Sequence, residues 1–397
     1  MKIVIVGGGA SALFSAINIK NNDNEVLILE KDKELGKKIL VTGNGRCNYF
    51  HDPLDIKSYY SSDIDILDKL ITDDLKKEVL DKFNSLGIIP KIIDGYYYPY
   101  TNQAKTIRNM FLYEIDRLGI SYLTNYEVKS IRSFNNGFII NDDITCDKLI
   151  ISCGGDKYQY IDNNFNIKEE KIFPSLMPLV TDVNYDLKGI RCNASVSLFI
   201  NGVFIDKEVG MLQFTQDGLS GICIFNLSRE VPYALDNKAN VNIKVDFIPD
   251  INDVDSFFNR YDIPLKEVLN RLLDQKIANM IVSKLDIGNK IYSELSNKEK
   301  SKIVKYLKEF SFNIIGYNKN LAEVTSGGVS LKEVDNNLES LKIKNLFFTG
   351  EVLDVVGKCG GYNLGFAWIS SLIVSKKINN IKTWLFNLSF CNNYFII

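Results

Sequence analysis

The chain has 397 residues, 46% of them hydrophobic, which is enough for a sizeable core and two or three domains. A formal net charge of −2 leaves no surplus of cations for gripping nucleic acid or an anionic membrane, so neither partner is expected. One histidine, His51, and seven cysteines without a CxxC pair argue against zinc, iron–sulfur and histidine-triad chemistry.

The first element is KIVIV, Lys2 to Val6, an apolar run of the kind that forms a buried parallel strand. Gly7–Gly8–Gly9–Ala10–Ser11–Ala12 follows, then a helix to about Asn21 and a second apolar run, EVLILE, closing on Glu30. Strand, glycine turn, helix and strand make one βαβ unit with a right-handed crossover. Gly7 permits the tight exit from the strand, and Gly9 lets a pyrophosphate approach the backbone. Ala12 takes the place of the third glycine of the fingerprint. The N–H groups of Ala10, Ser11 and Ala12 would face the phosphates at the positive end of the helix. Glu30 lies 23 residues after Gly7, about where an acid meets a ribose hydroxyl. The pattern points to dinucleotide binding, with a glycine turn that only packs as the alternative.

The loop from Asp32 to Asn48 carries Lys37, Lys38, Gly43, Gly45 and Arg46. Its planar guanidinium suits phosphate or carboxylate, while the same residues also suit a basic surface loop. From Ser62 to Leu86 the apolar residues fall at helical spacing, ended by Gly87. A tyrosine cluster around Pro99 (Tyr96, Tyr97, Tyr98, Tyr100) suits either a flat aromatic site or loop packing. The apolar stripe Ile107, Met110, Phe111, Ile115 and Leu118 predicts a core-facing helix over 104–118. Asn135–Asn136–Gly137 marks a hairpin, and the strand KLIIS runs into Cys153, Gly154 and Gly155.

Composition shifts at Pro174 to Pro178. Residues 179–246 read as strand-rich, with a turn at Asn201–Gly202 and glycines 218 and 221 leading into a helix. Residues 253–315 read as mostly helical. NLFFTGE then forms another buried strand, ending in Gly350 and Glu351. Asp354, the loop GKCGG and a helix from Tyr362 to Lys377 come after it. A second strand–glycine–helix feature implies that both chain ends build one doubly wound α/β nucleotide domain around a middle insertion. The chain opens on a strand and its cysteine count is odd, so a cytoplasmic protein without a signal peptide is expected. The C-terminal stretch WLFNLSFCNNYFII is expected to dock rather than anchor.

VIVGGGASALFSA, LGKKILVTGNGRCN, YYYPYTNQAKTI, MLQFTQDGLSGICI, EVTSGGVSLKEV and NLFFTGEVLDVVGKCGGYNLGFAW together resemble one bacterial group, the aminoacetone-oxidase-type FAD-binding enzymes, also described as NAD(P)/FAD-dependent oxidoreductases. The resemblance implies non-covalent FAD in a Rossmann-like domain of the glutathione-reductase flavoprotein kind, a small-molecule substrate, and NAD(P)H as a transient reductant. Carried over by position, the FAD contacts are Gly7, Gly9, Ala10, Ser11, Glu30, Lys31, Lys38, Gly43, Arg46, Cys47 and Asn48. Val128, Gly154, Gly350, Glu351, Asp354, Gly361, Tyr362, Asn363 and Leu364 complete the set. The implied domains are 1–175 with 322–385 for FAD, a β-rich insert over 176–250, a helical one over 251–321, and a tail, 386–397. Two departures, a short loop after Gly155 and Cys359 in place of a threonine, bear on substrate identity more than on flavin. Amine oxidation and reduction of an activated double bond are both open. A flavin-dependent RNA- or protein-modifying factor and a non-catalytic flavin sensor are the other classes.

Overall fold

The computed structural model describes residues 1–155, 165–183, 185–285, 287 and 289–379. The tail 386–397 and most of the loop after Gly155 lie outside these residues. The organising layer is a five-stranded parallel sheet, ordered Leu346–Phe348, Lys148–Ile151, β1 (Lys2–Val6), β2 (Glu25–Leu29), Ser121–Leu123. Residues 3–5 of β1 are fully buried, as a central strand covered on both faces requires. The strand Leu346–Phe348 extends the sheet at one edge, so both ends of the chain do build one layer.

Helix α1 (Ala10–Ile19) packs beside the last described helix, Tyr362–Ile378. Trp368 of that helix is wholly buried, with its ring 5.4 Å from Phe14, 5.3 Å from Phe83 and 5.6 Å from Phe111. Its Nε1–H donates to the carbonyl of Tyr49 at 2.7 Å. Four elements far apart in sequence therefore meet on one indole. The helical stretch after Ser62 is two helices, Ile64–Leu70 and Asp73–Ser85. Thr72 accepts a hydrogen bond from the N–H of Leu75 and starts the second as its N-cap, which breaks the apparent continuity.

Residues 179–317 have their own hydrophobic core. Six strands close a barrel in the order Leu179–Thr181, Gly218–Ser220, Val203–Phe214, Arg191–Ile200, Val241–Asp246, Phe310–Tyr317. The closing strand, Phe310–Tyr317, lies inside the range read as helical. Its alternating burial, buried at Phe310, Phe312 and Ile314, is a period-two pattern that the preceding helices obscure. Helices Leu265–Leu272, Gln275–Leu285 and Asn297–Lys308 share this second core. Among the described residues no helix is long and apolar enough to cross a membrane.

Replacing Trp368 with Ala removes the shared indole and should cost about 3–5 kcal/mol. Urea unfolding followed by far-UV circular dichroism measures it. A loss under about 1 kcal/mol would show that these helices do not depend on that contact.

Candidate active site

The glycine turn after β1 uses each glycine differently. Gly7 has φ +106°, and a Cβ there would stand 2.5 Å from the carbonyl oxygen of Ser152. Gly8 is crowded by Leu35, and its N–H donates to Glu30 Oε2 at 2.5 Å. Gly9 has ordinary extended backbone, and a Cβ there would meet nothing within 4 Å. Only Gly9 therefore opens onto space, which is what close approach of a ligand to the backbone needs. Gly9 is the N-cap of α1, yet no side chain caps the helix and its first turn carries no acid. The N–H groups of Ala10 and Ser11 belong to the turn that lacks intrahelical acceptors. Glu30 accepts from Gly8 and, through Oε1, from the N–H of Asp32 at 2.7 Å. A carboxylate has about four acceptor positions, so it can take a further hydroxyl. These residues fit a dinucleotide.

The other glycine turn meets this one at the carboxyl edge of the sheet. Gly350, at φ +72°, would place a Cβ 2.7 Å from Ser11 Oγ. Its N–H donates to Ser370 Oγ, and Ser371 Oγ–H donates to the carbonyl of Ser11 at 2.9 Å. Glu351 gathers the neighbouring strand and loop. Its carboxylate accepts from the N–H and hydroxyl of Thr325 at 2.8 and 3.0 Å and pairs with Lys38 at 3.2 Å. Gly154 lies beside the same carboxylate. Lys38 is largely exposed, so the pair itself contributes at most about 1 kcal/mol.

The loop from Lys37 turns through left-handed residues at Gly43, Asn44, Gly45 and Cys47. Arg46 is exposed, with its guanidinium 5.3 Å from the Tyr98 ring centre. Cys47 is wholly buried, and burial pushes its thiol up to about 12. Asn48 is buried with Oδ1 unpartnered, and that oxygen faces Gly361 at the start of the last helix. Gly361 has φ +94°, and a Cβ there would run into the backbone of Phe50. A side chain at 361 would therefore enter the protein, and Gly361 itself can meet a ligand only through its backbone. His51 sits between Tyr96 and Tyr362, tilted against both rings, with ring centres 4.7 and 4.8 Å away. Burial lowers its imidazole pKa against the opposing effect of Asp52.

Three expected contacts have other employment. Asn363 clamps both the N–H and the carbonyl of Gly357 at 2.8 Å. Asp354 is buried and accepts from the N–H of Ser62 at 2.8 Å. The carbonyl of Tyr362 accepts from Tyr59 Oη. Each holds loop geometry through its side chain or carbonyl. Lys31 is exposed, and Leu364 is partly buried beside the core. Val128 is buried just past Tyr126, whose N–H donates to the carbonyl of Glu30. Thr325 and His51 escaped the sequence reading. TSGG, which lies within the strand Val324–Val329, was the available signal for Thr325, whereas nothing in the sequence pairs His51 with Tyr362. The described residues hold no cluster able to ligate a metal.

A parallel sheet with uncapped helix N-termini and glycine turns at its carboxyl edge defines a Rossmann-type nucleotide-binding protein carrying a β-barrel insert. The family described as "HI0933-like protein Rossmann domain" matches residues 1–377, and the chain belongs to it. It is an FAD-dependent oxidoreductase. The chain is 29% identical to the 3-dehydro-bile acid delta(4,6)-reductase of Clostridium scindens, over 94% of this chain and 98% of that one. It is 24% identical to the ribosomal RNA dihydrouridine synthase of Haemophilus influenzae, over 95% and 98%. The 3-ketosteroid delta1-dehydrogenase of Sterolibacterium denitrificans aligns over 96% and 99% at 9% identity and a TM-score of 0.48.

Purified protein should be yellow and release FAD on denaturation. Gly9→Val should lose FAD while its unfolding midpoint matches that of FAD-free wild type, because the space beside Gly9 is open. Gly7→Val should instead lower that midpoint. Retention of FAD by Gly9→Val would remove the turn from the binding site. The buried thiol gives a second expectation. Folded Cys47 should resist iodoacetamide at pH 8, and Cys47→Ser with Cys359→Ser should keep FAD. Rapid labelling of Cys47 in the folded protein, read by peptide mass mapping, would contradict its burial.

Proposed function

We propose that this protein reduces a carbon–carbon double bond conjugated to a carbonyl in an apolar small molecule, with NAD(P)H as transient reductant. The observation that carries the reaction type is common to the relatives just described. The names delta(4,6)-reductase of a 3-dehydro-bile acid and dihydrouridine synthase both denote saturation of a double bond conjugated to a carbonyl. The aminoacetone-oxidase resemblance would favour amine oxidation, which neither name supports.

In this reading residues 1–175 and 322–385 would hold FAD at the carboxyl edge of the sheet, in a domain of the glutathione-reductase flavoprotein kind. When bound, FAD supplies the hydride. Gly9, Ala10 and Ser11 offer backbone to the pyrophosphate, and Gly7 and Gly350 make that approach possible. Glu30 takes the ribose, flanked by Lys31 and Val128. Lys38, Gly154 and Glu351 line the middle, and Gly43, Arg46, Cys47 and Asn48 the far side. The backbone of Gly361, Tyr362, Asn363 and Leu364 would meet the flavin ring, with Asp354 fixing the loop before it. Tyr96 packs on Gly360, and burial keeps its phenol protonated. A protonated phenol can donate to a carbonyl oxygen that gains charge as the double bond is reduced.

The dihydrouridine synthase relatives favour a second reading, in which the double bond belongs to a uridine of ribosomal RNA. The net charge of −2 supplies little of the electrostatic term on which RNA binding rests. Anaerobically reduced holoprotein, mixed separately with a 3-keto-4,6-diene steroid and deproteinised ribosomal RNA, decides between them, while oxidised holoprotein mixed with aminoacetone, which should not bleach, tests amine oxidation. The expected result is recovery of flavin absorbance and a product two hydrogens heavier with the steroid alone. Reaction with RNA alone would move the protein to the second reading, and reaction with neither double bond would end the proposal.

A further inference from the structure

The loop Gly357–Gly361, which leads into the last helix, is held from two directions. From its own domain, Asn363 clamps Gly357 and the carbonyl of Ser58 accepts the N–H of Lys358 at 2.8 Å. The remaining grips come from the insert. Asn226, more than nine-tenths buried in the helix Ile222–Leu227, accepts the N–H of Cys359 on Oδ1 at 2.9 Å. Its Nδ2 donates to Glu208 Oε2 at 3.1 Å. Glu208 Oε1 in turn pairs with Lys358 Nζ at 2.6 Å, with side chains 14% and 23% exposed. Tyr60 and Asp206 complete the contact by a hydrogen bond at 3.3 Å, under the Arg229 guanidinium, which lies 4.0 Å from the Tyr60 ring centre.

An ion pair this sheltered leaves an uncompensated charge when one partner is removed. Asn226 is directional at both ends, so it fixes the plane of the Lys358–Cys359 peptide as well as the carboxylate. We propose that Glu208 and Asn226 are positioning residues, through which the insert orients the loop and cancels the Lys358 charge, and so sets the reduction potential of the bound flavin. This rests on the reading that places Gly361 to Leu364 beside the flavin ring. Reduction adds negative charge there, so a bare Lys358 would favour the reduced form and a bare Glu208 the oxidised one.

Redox titration of the FAD-bound protein against a reference dye reads the charge arm. Glu208→Gln should raise the midpoint potential and Lys358→Met should lower it. Each change should be about tenfold in the ratio of reduced to oxidised FAD affinity, roughly 30 mV for a two-electron couple. The double variant Glu208→Gln, Lys358→Met should return near wild type. Hydrogen–deuterium exchange of the 357–364 peptide reads the orienting arm without needing flavin. Exchange should quicken in Asn226→Ala in both holo- and FAD-free protein, and by more in this peptide than in the rest of the chain. Shifts of the same sign in the two single charge variants, or unaltered exchange in Asn226→Ala, would overturn the proposal. Wild-type protein that cannot hold FAD would overturn the reading beneath it, which is a separate result.

Discussion

Three backbone segments pass each other at the carboxyl edge of the sheet with no room for a side chain between them. Gly7 lies under the carbonyl of Ser152, and Gly350 lies against Ser11. Hydroxyls then bind what the glycines bring close: Ser152 to Thr349 at 2.5 Å, Ser371 to the carbonyl of Ser11 and Ser370 to the N–H of Gly350. Nearly all these groups are buried, so each hydrogen bond left unmade would cost about 1–3 kcal/mol. The close approach pulls α1 and the last helix side by side. The ends of the chain become one layer because of it.

That arrangement leaves backbone more than charge at this edge of the sheet. Two helices start near one edge, and neither has a side-chain cap. Unmade N–H groups and the helix dipole give a fixed positive potential that needs no ordering when an anion arrives. The ion pair nearby, Lys38 with Glu351, is exposed on its lysine side and adds little. Glu351 matters more as a clamp on Thr325, because it ties the strand Val324–Val329 to the glycine turn. The thiols fit the same picture: desolvation raises Cys47 and Cys359 far from the reactive thiolate range. Electron chemistry is left to the cofactor.

The insert meets the nucleotide domain through polar, directional contacts at Lys358, Cys359 and Tyr60, while each part keeps its own hydrophobic core. Apolar faces would tolerate sliding. A carboxylate, an amide and an ammonium with fixed partners do not, so the barrel is registered on one loop of the site. Sheltering that ion pair is the cost of the registration.

Much of this was written locally in the sequence. KIVIV and EVLILE are strands because runs of buried β-branched residues suit a covered parallel sheet, and GGGASA between them can only be a tight strand-to-helix turn. The tight turn at Gly7 and the acid that closes β2, Glu30, were legible for the same reason: their places depend on neighbours a few residues away. Phe310–Tyr317 was not, since its alternation means strand only once a barrel edge is there to receive it. Nor could spacing show that Asn363 and Asp354 would be spent on Gly357 and Ser62. The pairing of His51 with Tyr362, and of Lys358 with Glu208, joins residues 311 and 150 positions apart. A side chain's partners at such range are set by how whole layers pack, and local periodicity carries no record of that.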